Sequence, residues 1–196
     1  MIKDKKDLRE YMEADRISLG RKRKRPKLND LVWKYEIALR KCEYYANNKR
    51  GLNKLFLKLS KSRLFVLGTI CGYSISINTV GKGLSLAHVG PVIISSAAKI
   101  GENCRIHVGV NIGTAAGTTG QAPTIGNNVY IGPGAKIFGP ITIGNDVAIG
   151  ANAVVNKSFE EDHITIAGIP AKKISDKGSE GYLFKASEPV GENSNQ

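Results

Sequence analysis

Isoleucine or valine recurs every six residues along the second half of this chain. The positions are Ile94, Ile100, Ile106 and Ile112, then without a break Ile125, Ile131, Ile137, Ile143, Ile149 and Val155. Four residues after each comes a second, usually small position: Ala98, Cys104, Val110 and Ala116, then Val129, Ala135, Ile141, Val147, Ala153 and Phe159. A period of six is neither the ~3.6-residue period of an α-helix nor the two-residue alternation of an ordinary strand. It is the pattern of a parallel β-helix in which each hexapeptide supplies one short strand and one corner. The aliphatic residue points inward, and the small residue lets the chain turn. Three hexapeptides close one triangular coil, and because one coil cannot bury its own face, several must stack. The spacing predicts about five coils, beginning at Val80, Leu86 and Val92 and ending near Ile164–Ile169.

The rhythm slips in two places. From Val92 to Ile94 the frame shifts by two residues, which reads as an insertion at a corner. From Ile112 to Ile125 the step is thirteen residues, and the segment from Gly113 to Pro123 is small, polar and glycine-rich. It should leave the coil as a loop, and loops on a rigid scaffold often carry function.

Charge divides the chain. Residues 1–70 hold 20 Lys/Arg against 8 Asp/Glu, which is the whole formal excess of +12; the remainder holds nine of each. The front has helical spacing around Lys6–Arg16 and Leu28–Leu59, with Leu31, Tyr35, Ala38, Leu39 and Cys42 on one face. The expected organisation is a basic α-helical region over 1–70, a β-helix over 71–175 and a tail over 176–196. The run from Arg21 to Lys27 suits a weak association with an anionic membrane surface. No aromatic residues interleave it, so nucleic acid is not expected as a partner. Residues 1–16 show no apolar leader segment, and Leu64–Ile77 is apolar but too short and interrupted to span a bilayer. Cys42, Cys71 and Cys104 lack metal-ligand spacing. A cytoplasmic location and no metal are therefore expected.

Three histidines are present: His88, His107 and His163. A base for acyl transfer to a hydroxyl needs a pKa near working pH, which histidine supplies. His88 lies in Leu86-Ala-His-Val-Gly90 at a coil edge, next to the frame shift. His107 is nineteen residues further on and should occupy a similar position on the neighbouring coil. His163 sits in an acidic turn far along the stack, so the three should not converge on a metal ion.

Particular segments resemble the hexapeptide acyltransferases, and within them the serine acetyltransferase-like branch, including members from surface-polysaccharide gene clusters. They are Gly83-Leu-Ser-Leu-Ala-His88, Ile112-Gly-Thr114, Ile131-Gly-Pro-Gly-Ala-Lys-Ile137, Ile149-Gly-Ala-Asn-Ala-Val-Val155 and Ala167-Gly-Ile-Pro-Ala-Lys172. The resemblance implies a left-handed β-helix and an acetyl-CoA-dependent O-acetyltransferase with His88 as general base. It also implies a homotrimer, or a higher assembly of trimers, with sites between neighbouring β-helices. Acetyl-CoA would meet Gly113 and Thr114 at the loop base, Pro133 and Ala151 along the corner, and Lys172 and Lys173 after the last turn. The acceptor would be a small-molecule hydroxyl, either L-serine or a sugar. The alternative is a non-catalytic β-helix that scaffolds a partner through its basic helices.

Two departures from the family pattern bear on the acceptor. The family places aspartates directly before and upstream of the catalytic histidine, and here Ala87 precedes His88. The orienting group must then come from elsewhere, with a backbone carbonyl, Glu102 and Asp15 as candidates. The family loop ends in an Arg-His pair that handles the serine carboxylate, and here Gln121 and Ala122 occupy those positions. Two neutral residues suit a neutral acceptor such as a sugar hydroxyl better than a carboxylate, unless Arg16 or Arg105 substitutes.

Overall fold

The structure, a computed structural model, describes residues 1–117 and 120–184. Residues 185–196 of the expected tail, and Thr118 and Thr119 of the expected loop, lie outside the described residues. Three helices come first: α1 (Lys5–Ser18), α2 (Leu31–Asn47) and α3 (Asn53–Cys71). The helical spacing over Leu28–Leu59 thus divides in two at Gly51, whose φ of 51° favours glycine. The apolar stretch from Leu64 continues α3 before the first strand. Among the described residues, no helix is long and apolar enough to cross a membrane.

Fourteen short strands follow among the described residues: β1 (Tyr73–Ile75), β2 (Ser85–Leu86), β3 (Val92–Ile94), β4 (Lys99–Ile100), β5 (Arg105–Ile106), β6 (Asn111–Gly113), β7 (Thr124–Ile125), β8 (Tyr130–Ile131), β9 (Lys136–Phe138), β10 (Thr142–Ile143), β11 (Ala148–Ile149), β12 (Val154–Val155), β13 (Thr165–Gly168) and β14 (Ala171–Ser175). They form three sheets, ordered β1-β3-β6-β9-β12, β10-β7-β4 and β14-β13-β11-β8-β5-β2. With the bridging residues Val80 and Phe159 counted as rungs, every third rung from β1 to β13 returns to the same sheet and pairs in parallel with its predecessor, so each sheet is one face of a triangular prism. Isolated bridges at Val80 and Phe159 extend the middle face at both ends, giving five coils of a left-handed parallel β-helix. The hairpin of β13 and β14 is antiparallel and closes the far end.

The ladder is the core. Ile106, Ile112, Ile131, Ile137, Ile149 and Val155 are completely buried, and the second positions Cys104, Val129, Ala135, Val147 and Ala153 are equally enclosed. Burial pushes the Cys104 thiol up to about 12, so it packs as a protonated side chain. Ala116 is the exception: it leaves the coil with the loop and is exposed. The glycines that follow the aliphatics serve closeness rather than bending. A Cβ on Gly126 would stand 2.6 Å from the Gly144 carbonyl oxygen of the next coil, and one on Gly101 would stand 2.6 Å from that of Gly126. An added methyl there forces the coils apart.

The first coil presents a problem that the helices solve. Its outer edge has no preceding coil, so its backbone groups lack ladder partners and an unpaired edge must be covered. Side chains of α1 and α2 take that place. Asp15 accepts from the Gly83 and Leu84 amides at 2.9 Å each. Glu36 accepts from the Leu86 amide at 3.0 Å, and Glu43 from the Asn78 amide at 2.8 Å. Arg40 donates to the Val80 carbonyl at 2.9 Å and the Gly81 carbonyl at 2.5 Å. The guanidinium also pairs with Asp15 at 2.7 Å and Glu43 at 3.0 Å. Val32, Tyr35 and Leu39 add apolar cover that is continuous with the β-helix core.

Glu36 differs from its neighbours in charge. Burial, reinforced by the Asp15 carboxylate, holds its carboxyl well above the ordinary 4.5, against the opposing pull of the Leu86 amide, Arg40 and Arg21. The native chain therefore keeps a proton that the unfolded chain releases. Its contribution to stability is fully present below about 4.5 and is lost as pH rises toward the folded pKa. Glu36→Gln keeps an acceptor for Leu86 and cannot ionise. Its stability relative to wild type should rise across that window by about 1.4 kcal/mol per unit of pKa difference. Denaturant melts from about pH 4 to about pH 8 read this directly; a constant difference between the two proteins contradicts it.

Candidate functional site

His88 stands out because of the frame shift. From Leu86 to Ile94 the chain takes eight residues, where Ile106 to Ile112 takes six, although both pairs align in register. The corner absorbs the two extra residues by bulging. Gly90 stays against the next coil, where a Cβ would meet Val108 at 2.9 Å, while His88 and Val89 turn outward and are exposed. The Tyr73 hydroxyl donates to the His88 carbonyl at 2.7 Å, which holds the bulge by its backbone. Among the described residues the imidazole itself makes no hydrogen bond.

His107 lies beside it on the next coil, with ring centroids 6.0 Å apart. Tyr130 and Tyr182 continue the row at 5.1 Å and 4.9 Å. The Nε2 atom of His107 is buried without a partner. Burial, helped by Arg105 and His88, lowers its pKa, so the ring is neutral at neutral pH.

Below His88 the same corner repeats down the stack. Hydrogen-bond register places Val108, Pro133, Ala151 and Gly168 in one column. Pro133, Ala151 and Gly168 are exposed, and the small residues leave an open path along the corner. Four coil steps span about 19 Å. Lys172 and Lys173 lie beside the far end of this column, on β14. Lys173 is paired with Glu161 at 2.6 Å and Asp176 at 2.7 Å; among the described residues Lys172 has no acidic partner.

Above His88 is a cavity of about 580 Å³. His88, Ala87 and Val89 form one wall, the first turn of α2 (Leu31, Val32, Trp33) another, and the basic segment from Arg21 to Lys27 a third. Arg21 is held by Asp30 at 2.9 Å, and Arg16 donates to the Arg21 carbonyl. Asp30 also caps α2 through the Trp33 amide. Sequence reasoning noticed this segment but did not bring it to His88, because its position depends on how the α1–α2 turn folds over the first coil.

Several expected site residues are elsewhere. Asp15 is buried in the cap with Arg40 and does not reach His88; its two backbone donors and the guanidinium consume its acceptors. Glu102 lies on a different corner, exposed, 3.9 Å from Lys82. Neither orients the imidazole within this chain. Gly113 ends β6 and Thr114 follows it, so they sit at the next corner of the prism, one face away from His88. The loop leaves from there, with Gln121 exposed and Ala122 packed back against the core. Its described residues do not lie over His88 of the same chain, because topology separates the two corners.

Glu36 was missed. It stands in the first coil's cap, bonded two residues before His88, and its Oε2 atom is buried without a partner. The available signal was the spacing of Glu36, Arg40 and Glu43, three charges at helical intervals beside an apolar stripe. Among the described residues no three His, Cys, Asp or Glu side chains converge as a metal site.

Residues 122–157 match the bacterial transferase hexapeptide (six repeats) family. Relatives include a serine acetyltransferase of Helicobacter pylori (strain J99), 40% identical over 97 residues, covering 49% of this chain and 56% of that protein. One of Synechococcus elongatus is 39% identical over 100 residues, covering 50% of this chain and 41% of that protein. The chain thus matches about half the length of these curated relatives. Among solved structures, a serine acetyltransferase from Brucella abortus strain S19 aligns with a TM-score of 0.62 at 28% identity, over 87% of this chain and 68% of that one. The same enzyme has been solved in complex with coenzyme A. Residues 122–157 thus match a hexapeptide-repeat family model, and the chain resembles serine acetyltransferases in sequence over about half its length and in fold over most of it.

Proposed function

We propose that this chain is an acetyl-CoA-dependent O-acetyltransferase that uses His88 as general base on a sugar hydroxyl. The observation that carries this reading is the outward bulge of His88 between an open cavity above and a column of small residues below. The cavity holds the acceptor, and the column holds the arm of acetyl-CoA. The coenzyme A complex of the Brucella abortus relative supports the choice of donor.

The reaction needs no covalent enzyme intermediate. The acceptor oxygen attacks the thioester carbonyl as its proton passes to the His88 imidazole. Backbone amides at the corner stabilise the tetrahedral oxyanion. The C–S bond then breaks, the imidazolium returns the proton to the departing thiolate, and the products are an acetate ester and free CoA thiol. Neutral His107 adds no repelling charge beside the imidazolium. With the thioester at His88, the arm follows Val108, Pro133 and Ala151, and the CoA phosphates reach the neighbourhood of Lys172. In a homotrimer, the loop at the next corner serves the site of an adjacent copy, which brings Gly113, Thr114, Gln121 and Ala122 toward a neighbour's His88.

Serine is the weaker acceptor. Its ammonium needs an anionic partner, and the residue before His88 is alanine. The carboxylate that lines the cavity, Asp30, is already paired with Arg21. An assay with labelled acetyl-CoA, offering L-serine and sugar acceptors side by side, tests the reading. Label is expected in a sugar ester with equimolar release of CoA. Label appearing only in O-acetylserine overturns the choice of acceptor, and CoA release that no acceptor stimulates overturns the transferase.

A further inference from the structure

The transferase reading leaves a run of cations beside the catalytic corner without a task. We propose that the segment from Arg21 to Lys27 is the phosphate-binding wall of the acceptor site, so that the hydroxyl acetylated at His88 belongs to a sugar carried on a diphosphate. The inference rests on the proposed transferase and names its acceptor class.

Position is the first argument. Arg21, Lys22, Arg23, Arg25 and Lys27 line the same cavity as His88. A free surface run would have no reason to share a concavity with the histidine that bulges from the coil.

Charge is the second. Five cations face one carboxylate, Asp30, and Arg21 already engages it. Among the described residues, Lys22, Arg23, Arg25 and Lys27 have no acidic partner. The cavity therefore holds uncompensated positive charge near a partly desolvated wall, where it attracts a polyanion far more than a neutral sugar or a zwitterion. Arginine forks and lysine ammonium groups together suit the oxygens of a diphosphate.

Anchoring is the third. The ends of the turn are tied by the Arg21–Asp30 pair, the Asp30 amide bond to the Lys27 carbonyl at 3.2 Å, and the Arg16 donation to the Arg21 carbonyl. With the backbone of the turn tied at both ends, only the exposed side chains remain to be ordered by the ligand, which lowers the entropy lost on binding.

The phosphates of CoA do not explain this wall. With the thioester at His88, the arm runs down the corner and places them about four coil steps, roughly 19 Å, toward Lys172. The basic segment lies on the opposite side of His88. Two anionic groups, one at each end, match two phosphorylated substrates meeting at one imidazole.

The test uses the full chain and the variant Arg23→Ala/Arg25→Ala. Trp33, in the cavity wall, gives a fluorescence signal for titration with UDP-glucose, glucose and CoA, and a polyprenyl-diphosphate sugar in detergent micelles gives the second arm. UDP-glucose or the lipid-linked sugar is expected to bind while glucose does not; which of them binds tells the soluble source of the diphosphate from the membrane-borne one. The variant should weaken that binding roughly 10- to 100-fold while CoA affinity is unchanged, and KM for the diphosphate acceptor should rise while KM for acetyl-CoA does not. Equal binding of diphosphate sugars by variant and wild type overturns the proposal, as does loss of CoA in place of the acceptor. A protein that binds anionic vesicles through this segment but ignores both diphosphate sugars overturns it too. Acetylation of an unphosphorylated hydroxyl at equal kcat/KM sinks the diphosphate wall and leaves the transferase standing. Failure to bind CoA or transfer label to anything sinks the transferase, and the UDP-glucose titration still decides the wall.

Discussion

His88→Ala should lower kcat for acetyl transfer by about 10²- to 10⁴-fold, the range of a positioned general base. KM for acetyl-CoA should change little, because the donor is held along the corner by residues other than the imidazole. Stability should also survive. His88 is exposed, and its structural bond is the backbone carbonyl that accepts from Tyr73, which alanine retains. Steady-state kinetics and a thermal melt on the same preparation separate the outcomes. Wild-type turnover in a folded variant removes His88 from the chemistry; lost turnover with a collapsed melt would instead point to a structural role.

Arg40→Met should destabilise the fold by about 3–5 kcal/mol, as removal of one partner from a buried ion pair does. Arg40 is completely buried. Burial opposes its charge, yet the Asp15 and Glu43 carboxylates outweigh that and raise its pKa, so it is charged in the fold. Methionine fills much of the volume but leaves two carboxylates facing each other without a cation. It also leaves the Val80 and Gly81 carbonyls of the first coil unpaired. Mutating Asp15 to leucine in addition should not restore the loss, because the Gly83 and Leu84 amides then lose their acceptor. Denaturant unfolding of the two variants decides this, and a change below about 1 kcal/mol for Arg40→Met shows that the cap contributes little.

These two residues mark the limits of what the sequence made legible. The ladder was readable because an inward residue every six positions is a local period that no other fold imposes. The bulge that carries His88 was readable because the eight-residue step from Leu86 to Ile94 breaks that period beside it. Asp15, Glu36, Arg40 and Glu43 were not read as a cap, because a charge on a helix is ordinarily solvated. Their burial follows from a tertiary fact, namely that the first coil has an unpaired edge and α2 lies across it. Asp15 and Glu102 were expected near the imidazole on grounds of charge alone; one satisfies the cap and the other belongs to a different corner of the prism. The loop after Ile112 was correctly expected to leave the coil, but its corner follows from strand order rather than from composition. The basic segment was visible as a charge run, and only the fold places it over His88.

The central claim is that His88 stands where two substrates meet, with the donor below and the acceptor above. A crystal structure of the chain soaked with CoA tests it most directly. The account predicts the thiol at His88, the arm along Val108, Pro133 and Ala151, and the phosphates toward Lys172, with the cavity under Arg21–Lys27 free of CoA. CoA phosphates seated on Arg23 and Arg25, or a thiol remote from His88, would contradict it.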